Sequence, residues 1–398
     1  MKKIVFLVIA AFVGGSMAGY TEDSLVVRFI LDRNNRTDVA VGSVTDSTRG
    51  RVTDAYFMQL GLTELHDTIR ALDALMTLNC ENNQLAALPD ALGALEALRS
   101  LKVSHNKLSA LPSTIGKCMH LIRIEADGNE LVQLPDELFT LERVSFLSLR
   151  NNRLQQISQQ FDNLSALRFL YVDYNEIAAV DEKVTNLTEL EVLSLSNNRL
   201  TWIPAGLCRL PKLRKVDLTA NMLTDLPDEI GDCSALTDLY LSDNRLAVLP
   251  ATIRDAVNLQ WLYVDNNKLK ELPEDIGNLN RLQWLSVAGN RITALPEDIG
   301  ALKELNVLSL SFNRLESLPA SVSELRKLRI LRLNDNRLTN LPDSIVKLDN
   351  LSFERGKVKY GNLQIENNRL CSLPDTVAAW AETYCTGWRE KQQCTAGK

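Results

Sequence analysis

The sequence has 398 residues and a formal net charge of −6, with acidic and basic residues interspersed along its length. A nucleic-acid-binding protein is expected to gather lysine and arginine into a basic stripe, so this charge pattern argues against nucleic acid as a partner. The length alone suggests two or three globular domains. However, an internal repeat fills most of the chain, and this indicates one continuous repeat region rather than separate globular domains.

The chain begins with the features of a secretory signal peptide. Two lysines precede an apolar run over residues 4–13, and Ser16 and Ala18 occupy the −3 and −1 positions of a cleavage site. The run is too short to anchor the chain stably across a bilayer. We therefore predict a signal peptide over 1–18 and a secreted, periplasmic or cell-surface protein without membrane insertion after cleavage. The alternatives are an uncleaved amphipathic start or anchor, and a cytoplasmic protein.

Residues 19–51 precede the repeat and are predicted to form an N-terminal cap. Apolar residues recur at helical spacing over 25–30, and Thr21 is a candidate cap of that helix. The valines within 39–44 alternate as in a short strand. A cap is expected here because an uncovered first repeat would leave its leucines in water.

A 23-residue period organises residues 52–374, which we predict to form about fourteen repeats. Each repeat reads L-x-x-L-x-L-x-x-N-x-L-x-x-L-P, as over 236–250. The asparagines that mark the period, each 23 residues after the one before, are Asn83, Asn106, Asn129, Asn152, Asn175, Asn198, Asn221, Asn244, Asn267, Asn290, Asn313 and Asn336. Eleven of the twelve prolines occupy one position of the repeat, from Pro89 to Pro374, so the same turn is predicted in nearly every repeat.

Leu239 and Leu241 show how a repeat is expected to fold. Residues two apart in a strand point to the same side, so both leucines face the interior and Tyr240 between them faces outward. Asn244 follows where the chain turns away from the sheet, and its carboxamide can donate to and accept from buried backbone groups. Proline then favours an extended return segment over a long helix. Because no repeat buries its own leucines, neighbouring repeats must stabilise one another.

Two features interrupt the repeat. Ser158 and Asp181 replace the proline in two repeats, whose return segments are therefore predicted to differ in shape. The last asparagine of the series, Asn368, follows the previous one by 32 residues, nine more than the period, which indicates an insertion near 352–360. We predict a hairpin or bulge there, either as a specificity loop or as a drifted penultimate repeat. Residues 375–398 are predicted to form a C-terminal cap with a helix.

The chain has seven cysteines, an odd number that leaves at least one thiol unpaired. Those that replace leucines of the repeat, and are therefore predicted as small buried apolar residues, are Cys80, Cys118 and Cys233. Cys208 is predicted on a return segment, with an exposed side chain. Near the C-terminal end we predict a disulfide between Cys385 and Cys394, with Cys371–Cys385 as the alternative.

The motif L-x-x-L-x-L-x-x-N-x-L-x-x-L-P-x-x-I-x-x-L, as in 282–305, resembles the 23-residue leucine-rich repeats of the Ras-interacting scaffold type. Such repeats occur in eukaryotic signalling scaffolds and in bacterial surface or effector proteins. The resemblance covers residues 52–374. It implies an α/β fold, a right-handed solenoid or horseshoe with a concave parallel β-sheet and short helical or irregular convex legs. It also implies binding of protein partners and no reaction, since enzymatic members carry an added domain for which the caps here are too short.

The outward strand positions hold the candidate ligand-binding residues, because packing fixes the inward ones. Aromatic residues gather there in two clusters, the first of Phe146, Phe169, Tyr171 and Tyr174 and the second of Tyr240, Trp261, Tyr263 and Trp284, with Asp173, Asp238, Asp243 and Asp265 around them. Exposed aromatic patches rimmed by acids commonly mark binding sites. The predicted ligand-binding residues are Tyr240, Trp261, Tyr263, Trp284, Asp238, Asp265, Phe169 and Tyr171. The alternative is cross-strand aromatic pairing that only stabilises the sheet.

The sequence predicts no catalytic residues, no metal site and no cofactor. The three histidines, His66, His105 and His120, lie at unlike positions of their repeats, and no glycine loop suited to phosphate is present. We therefore predict a non-enzymatic, extracytoplasmic module that binds a protein or peptide on the concave face. One alternative is a glycan-binding surface protein that uses the same aromatic residues. Another is a cytoplasmic signalling scaffold, if residues 1–18 are not a signal peptide.

Overall fold

The computed structural model describes residues 21–157, 159–355 and 358–394. The predicted signal peptide over 1–18 lies outside these residues. The chain divides into two compact units, an N-terminal unit that ends at Ser194 and a C-terminal unit that begins at Leu195. Across the described ranges, no helix combines the length and the apolar character that crossing a membrane requires.

The N-terminal unit begins with helix α1, Glu22–Arg33. Its strands are β1 (Thr45–Thr48), β2 (Arg51–Tyr56), β3 (Thr77–Asn79), β4 (Ser100–Lys102), β5 (Arg123–Glu125), β6 (Phe146–Ser148), β7 (Gln156–Ile157), β8 (Phe169–Tyr171), β9 (Ala179–Val180) and β10 (Val192–Ser194). Its short 3₁₀ turns are Val41–Ser43, Asp67–Ala71, Asp90–Ala94, Ser113–Lys117, Asp136–Thr140, Gln159–Asn163 and Glu182–Asn186.

Helix α1 begins as predicted, because the Thr21 hydroxyl accepts a hydrogen bond from the Ser24 backbone N–H at 3.2 Å. The predicted strand over 39–44 is wrong. Val41 and Val44 are both buried, at a spacing of three that suits a 3₁₀ turn rather than the two-residue alternation of a strand. The strands follow later, where β1 pairs antiparallel with β2.

The sheet of the N-terminal unit keeps the 23-residue period in its pairing. From β2 onward, strands β2, β3, β4, β5, β6, β8 and β10 pair in parallel in that order. Each inward residue pairs with its equivalent one period later, as Leu147 does with Leu170. These central residues are buried, which makes the shared interior of the repeats the core of the unit.

The C-terminal unit repeats this arrangement. Its strands are β11 (Lys215–Asp217), β12 (Asp238–Tyr240), β13 (Trp261–Tyr263), β14 (Trp284–Ser286), β15 (Val307–Ser309), β16 (Ile330–Arg332), β17 (Ser352–Arg355), β18 (Val358–Gly361) and β19 (Leu363–Gln364), and its α-helix is α2 (Asp375–Tyr384). Its 3₁₀ turns are Ala205–Arg209, Asp228–Asp232, Ala251–Asp255, Ile276–Asn278, Glu297–Ala301, Ala320–Glu324, Asp343–Lys347 and Trp388–Lys391.

Strands β11 to β16 and then β19 form a parallel sheet in the C-terminal unit. The insertion appears as the antiparallel pair β17 and β18, which agrees with the expected hairpin. The predicted α/β leucine-rich-repeat architecture, with a parallel sheet and short helical turns on the return segments, is thus confirmed within each unit.

The asparagine of each repeat satisfies buried backbone groups in two neighbouring repeats, as predicted. The Asn244 side-chain amide donates to the carbonyl oxygens of Leu218, at 2.9 Å, and Leu241, at 3.0 Å. Its side-chain oxygen accepts from the backbone N–H of Leu223 at 3.0 Å. Since Asn244 is only 7% exposed, water cannot replace these partners.

The two repeats without proline differ from the others in their return segments. There β7 pairs in parallel with β9, and the backbone N–H of Asp181 donates to the carbonyl oxygen of Ile157 at 3.0 Å. Proline has no N–H and could not make this bond. The replacement of proline therefore allows a second, short parallel pair on this side of the N-terminal unit.

The predicted disulfide Cys385–Cys394 is wrong, and so is the alternative Cys371–Cys385. Cys394 is bonded to Cys371, with Cα atoms 5.7 Å apart, whereas Cys385 is a buried free thiol. After α2 the chain turns back along the last repeat, where the Gln393 N–H donates to the Asn368 carbonyl oxygen at 2.7 Å. This return brings Cys394 beside Cys371.

A second disulfide joins Cys208 to Cys233, with Cα atoms 4.2 Å apart. The prediction that Cys208 is exposed is wrong, because its side chain is 4% exposed. Cys233 is buried as predicted, also at 4%, but it is disulfide-bonded. The two are separated by 25 residues, one period plus two, so they lie on successive return segments at positions that are not equivalent. Cys80 and Cys118 are buried and free, as predicted.

Candidate binding surface

Strands β12, β13 and β14 place two columns of side chains on the side of the sheet opposite the core. Their central residues Leu239, Leu262 and Leu285 point into the core and are 0% exposed. Because side chains alternate along a strand, the flanking residues point to the opposite side, called here the sheet face. In register across the three strands, one column is Asp238, Trp261 and Trp284, and the other is Tyr240, Tyr263 and Ser286.

The four aromatic side chains of these columns form one surface, the aromatic patch: Tyr240, Trp261, Tyr263 and Trp284. The rings of Tyr240 and Tyr263 are stacked, with centroids 5.1 Å apart and planes 10° apart. The Trp261 and Trp284 rings are stacked at 5.7 Å, and Tyr263 joins the columns through a 5.5 Å contact with Trp284. All four side chains are half-buried, so a ligand could cover their remaining exposed area.

Three carboxylates adjoin the patch and are held by uncharged groups. Asp238 accepts hydrogen bonds from the Thr237 hydroxyl at 2.5 Å and the Tyr240 hydroxyl at 3.3 Å. Asp265 accepts from the Ser286 hydroxyl at 2.6 Å, and Asp243 accepts from a side-chain amide. Within the described residues, none of the three carboxylates forms an ion pair with lysine or arginine.

The environment of the patch shifts the titration of its groups. Burial raises the pKa of Tyr240 to about 12, and the charge of Asp238 adds to this effect. Burial, then the charges of Asp265 and Asp238, raises the pKa of Tyr263. Burial also raises the pKa of Asp265, although the Ser286 hydrogen bond opposes it. Both tyrosines therefore remain protonated at neutral pH and keep a hydroxyl that can donate a hydrogen bond.

Three of the four residues in the first aromatic cluster, in the N-terminal unit, lie under arginines of the chain itself, whereas Tyr174 is 60% exposed. The Arg123 guanidinium lies 3.6 Å from the centroid of Phe146, and that of Arg150 lies 4.0 Å from the centroid of Tyr171. Arg168 stands over Phe169 at 5.3 Å. The same arginines form ion pairs with neighbouring carboxylates. These rings and carboxylates are therefore already bound by cationic side chains of the protein itself.

The structure therefore separates the predicted ligand-binding residues into two groups. Those brought together in the C-terminal unit are Tyr240, Trp261, Tyr263, Trp284, Asp238 and Asp265. Phe169 and Tyr171 lie in the N-terminal unit, under the arginines described above.

Sequence reasoning missed Phe312, which is 61% exposed. It occupies the position before the repeat asparagine, where the backbone is left-handed, and its φ is 58°. Glycine and asparagine favour this conformation, and Gly289 and Asn266 hold the same position in preceding repeats. Except for His105, Tyr174 and Ala220, the other residues of this column from Asn82 to Asp335 are asparagine, aspartate or glycine, so an aromatic residue there was the available signal.

The repeats match known family models. A model described as leucine rich repeat matches residues 120–177, 188–246, 211–269 and 234–292, and one described as leucine-rich repeat region matches 273–357. A comparison with curated proteins found no match.

Solved structures with similar folds include bacterial and plant proteins. A leucine-rich-repeat protein of Leptospira interrogans is 35% identical, over 79% of this chain and 78% of that chain, with a TM-score of 0.73. An internalin of Listeria monocytogenes is 21% identical, over 84% and 95% of the two chains, with a TM-score of 0.68. The Arabidopsis receptor kinase HAESA, solved with the peptide hormone IDA and a co-receptor, is 26% identical over 77% and 56%, with a TM-score of 0.60. With its repeats matched by the family models and a relative this similar over most of both chains, the chain belongs to the leucine-rich-repeat proteins.

Proposed function

We propose that the protein is a non-enzymatic, extracytoplasmic binding module that captures a protein or peptide partner through the aromatic patch. The observation that carries the proposal is the continuous half-buried surface formed by Tyr240, Tyr263, Trp284 and Trp261. Unlike the first cluster, the rings of Trp261, Tyr263 and Trp284 have no lysine or arginine of the described residues over them. Tyrosine and tryptophan are enriched at binding hot spots because they bring large apolar area with little flexibility.

The ring geometry favours a peptide over a glycan. Sugars use aromatic rings by stacking on their faces. Here one face of Tyr263 is turned toward Tyr240 and the other toward Trp284. The ring edges and the tyrosine hydroxyls remain for a ligand, and these suit apolar side chains and backbone carbonyls of a peptide. The peptide hormone bound by the similar Arabidopsis receptor supports the same class of ligand.

Two disulfides support the extracytoplasmic part of the proposal. Cys208–Cys233 and Cys371–Cys394 are bonded, and such bonds persist in oxidising compartments. Mass spectrometry of the protein recovered from its native host is expected to show a chain that begins at Gly19. A chain that retains Met1 would instead favour the cytoplasmic alternative.

The binding function is tested by selecting random dodecapeptides displayed on phage against the immobilised protein. The double variant Trp261→Ala/Trp284→Ala is expected to lose the selected peptides and to retain its circular dichroism spectrum. Trp202→Ala is the matched control, since Trp202 is 44% exposed and lies outside the patch. Retained binding in the folded double variant would contradict the proposal. Hits on a glycan array without any selected peptide would favour the glycan alternative.

A further inference from the structure

Arg150, Tyr171 and Asp173 form a complete cation site within the N-terminal unit. The Arg150 guanidinium lies 4.0 Å from the Tyr171 ring centroid, and its Nε donates to Oδ2 of Asp173 at 2.9 Å. The other carboxylate oxygen, Oδ1, accepts from the Ser194 hydroxyl at 2.5 Å. One oxygen of Asp173 is thus held by a serine, and the other binds a cation.

The C-terminal unit contains the same acceptor without the cation. Four periods after Asp173, Oδ1 of Asp265 accepts from the Ser286 hydroxyl at 2.6 Å and from the Ala288 N–H at 2.7 Å. Among the described residues this carboxylate forms no ion pair, and its further side-chain hydrogen-bond partner is the Ser242 hydroxyl. Ser242 stands four periods after Arg150, so a short hydroxyl replaces the guanidinium that occupies this position in the N-terminal unit.

The surroundings of Asp265 favour a positively charged occupant. Asp238 and Asp243 adjoin the same sheet face and form no ion pair with a residue that the structure describes. Lys215 is the cation found over the patch in the described residues, and its Nζ lies 4.7 Å from the centroid of Tyr240. A ligand with a cation would complement the excess of negative charge beside the patch.

We propose that the patch recognises a peptide segment through a basic side chain whose cationic group binds Asp265 as Arg150 binds Asp173. This inference rests on the proposed function and specifies its ligand. The apolar stem of the basic residue packs along Tyr263, two residues before Asp265, and along Trp284, which contacts Tyr263. The Tyr240 ring already covers one face of the Tyr263 ring, so that face cannot bind the cation. The Asp265 carboxylate is therefore the main group that the cation contacts. Arginine fits better than lysine because a guanidinium is the group that binds the equivalent carboxylate of Asp173, and guanidinium planes also stack on aromatic rings.

The experiment uses the dodecapeptides selected on phage and synthesises the tightest one in two forms. One form carries arginine, and the other carries citrulline, which keeps the shape and removes the charge. The arginine form is expected to bind at least about tenfold more tightly, the effect of losing one charge-assisted hydrogen bond. The same loss is expected for the arginine form on Asp265→Asn, which keeps the oxygen that Ser286 and Ala288 need. Asp232→Asn is the control, an equal charge change on a return segment.

Ser242→Arg provides an independent test, because it supplies the internal cation that the N-terminal unit already accommodates. The variant is expected to fold and to lose the arginine peptide by at least about tenfold. Peptides without enriched basic residues, equal affinity for the citrulline form, or unchanged binding by Asp265→Asn would overturn the cation inference. If those peptides still require Trp261 and Trp284, the proposed function stands. If no peptide is selected at all, both proposals fail.

Discussion

The backbone N–H of Asp181 donates to the carbonyl oxygen of Ile157 at 3.0 Å, at a position of the repeat where proline usually stands. The Asp181 side chain also caps the following 3₁₀ turn, since its Oδ1 accepts from the Lys183 N–H at 2.9 Å. One residue thus joins β7 to β9 and begins the next turn. A proline here would restore the sequence pattern and remove both interactions.

We expect Asp181→Pro to lower the free energy of unfolding by about 1–3 kcal/mol, the sum of one backbone hydrogen bond and one cap. Asp181→Ala keeps the N–H and loses only the cap, so the difference between the two variants isolates the β7–β9 bond. Urea denaturation followed by circular dichroism measures both. A proline variant as stable as the wild type would show that this pairing contributes nothing.

Asn244→Ala is expected to destabilise the C-terminal unit by about 1–3 kcal/mol, because it leaves the buried Leu223 N–H without a partner. The Leu218 and Leu241 carbonyl oxygens each lose one of their two side-chain amide donors and keep Asn221 and Asn267, respectively. The exposed Asn280 provides the control variant, Asn280→Ala, which should change stability little. The measurement is the urea midpoint of each variant. Equal urea midpoints for Asn244→Ala and Asn280→Ala would mean that the hydrogen bonds of the buried asparagine do not contribute to stability.

The sequence contained enough to derive the fold of each unit and the columns of the sheet face. Leu239 and Leu241, spaced by two, and Asn244, spaced by 23 from its equivalents, require little beyond strand geometry and backbone hydrogen bonding. The disulfides could not be derived, because Cys208 and Cys233 occupy unlike positions and meet only through the path of the return segments. The aromatic residues of the sheet face could be predicted from the repeat, but which of them lie under arginines could not, because that depends on side-chain directions.

Arginines distinguish the two aromatic clusters, and their side-chain directions do not follow from the repeat. The sequence shows that Arg150 precedes Tyr171 by 21 residues, but Arg153 precedes Tyr174 and Arg291 precedes Phe312 by the same interval, so the spacing alone does not identify a contact. Only the folded structure shows that the guanidinium lies over the ring and binds Asp173. Once the contact between Arg150 and Asp173 is known, the serine at the equivalent position, Ser242, indicates that Asp265 lacks this internal cation.

Phe312→Asn is expected to raise the free energy of unfolding by about 1 kcal/mol, because asparagine tolerates the left-handed backbone better than phenylalanine. The lost ring costs little, since Phe312 is 61% exposed. The reverse change at an equivalent position, Asn266→Phe, is expected to destabilise. Thermal melts of the two variants should shift in opposite directions, and a shared direction would refute the strain argument.

Non-reducing peptide mapping is expected to recover Cys208 linked to Cys233 and Cys371 linked to Cys394. The free thiols should resist alkylation in the native state, because burial raises the pKa of Cys80 to about 12 and of Cys385 to about 11. A fragment that links Cys385 to Cys394 would contradict the structure.

Replacing Cys208 and Cys233 by alanine is expected to lower the free energy of unfolding by about 2–4 kcal/mol, chiefly by freeing the unfolded chain. Comparison of urea midpoints for this double variant and the wild type, both without reductant, measures the effect. The wild type in dithiothreitol should fall at least as far, since the reductant also reaches Cys371–Cys394.

Asp265→Asn should separate stability from binding. Burial raises the pKa of Asp265 above its ordinary value of 3.8, so the folded state holds the proton more tightly than the unfolded state does. The stability of the wild type therefore falls as pH rises from 3.8 through the folded pKa, and the cost is complete at neutral pH. Asparagine keeps the acceptor for Ser286 and Ala288 and carries no charge, so the variant should melt at a higher temperature at neutral pH.

The gain in melting temperature for Asp265→Asn should shrink as pH falls from the folded pKa toward 3.8, and it should be lost below 3.8, where the wild-type carboxyl is protonated in both states. Melts across this range measure the difference, with Asp232→Asn as the control. A residue kept for stability alone would not carry such a cost, whereas a carboxylate kept to bind a cation would. If Asp265→Asn instead melts at a lower temperature at neutral pH, the charge of Asp265 stabilises the fold. The stability argument for a ligand-binding role of Asp265 would then fail.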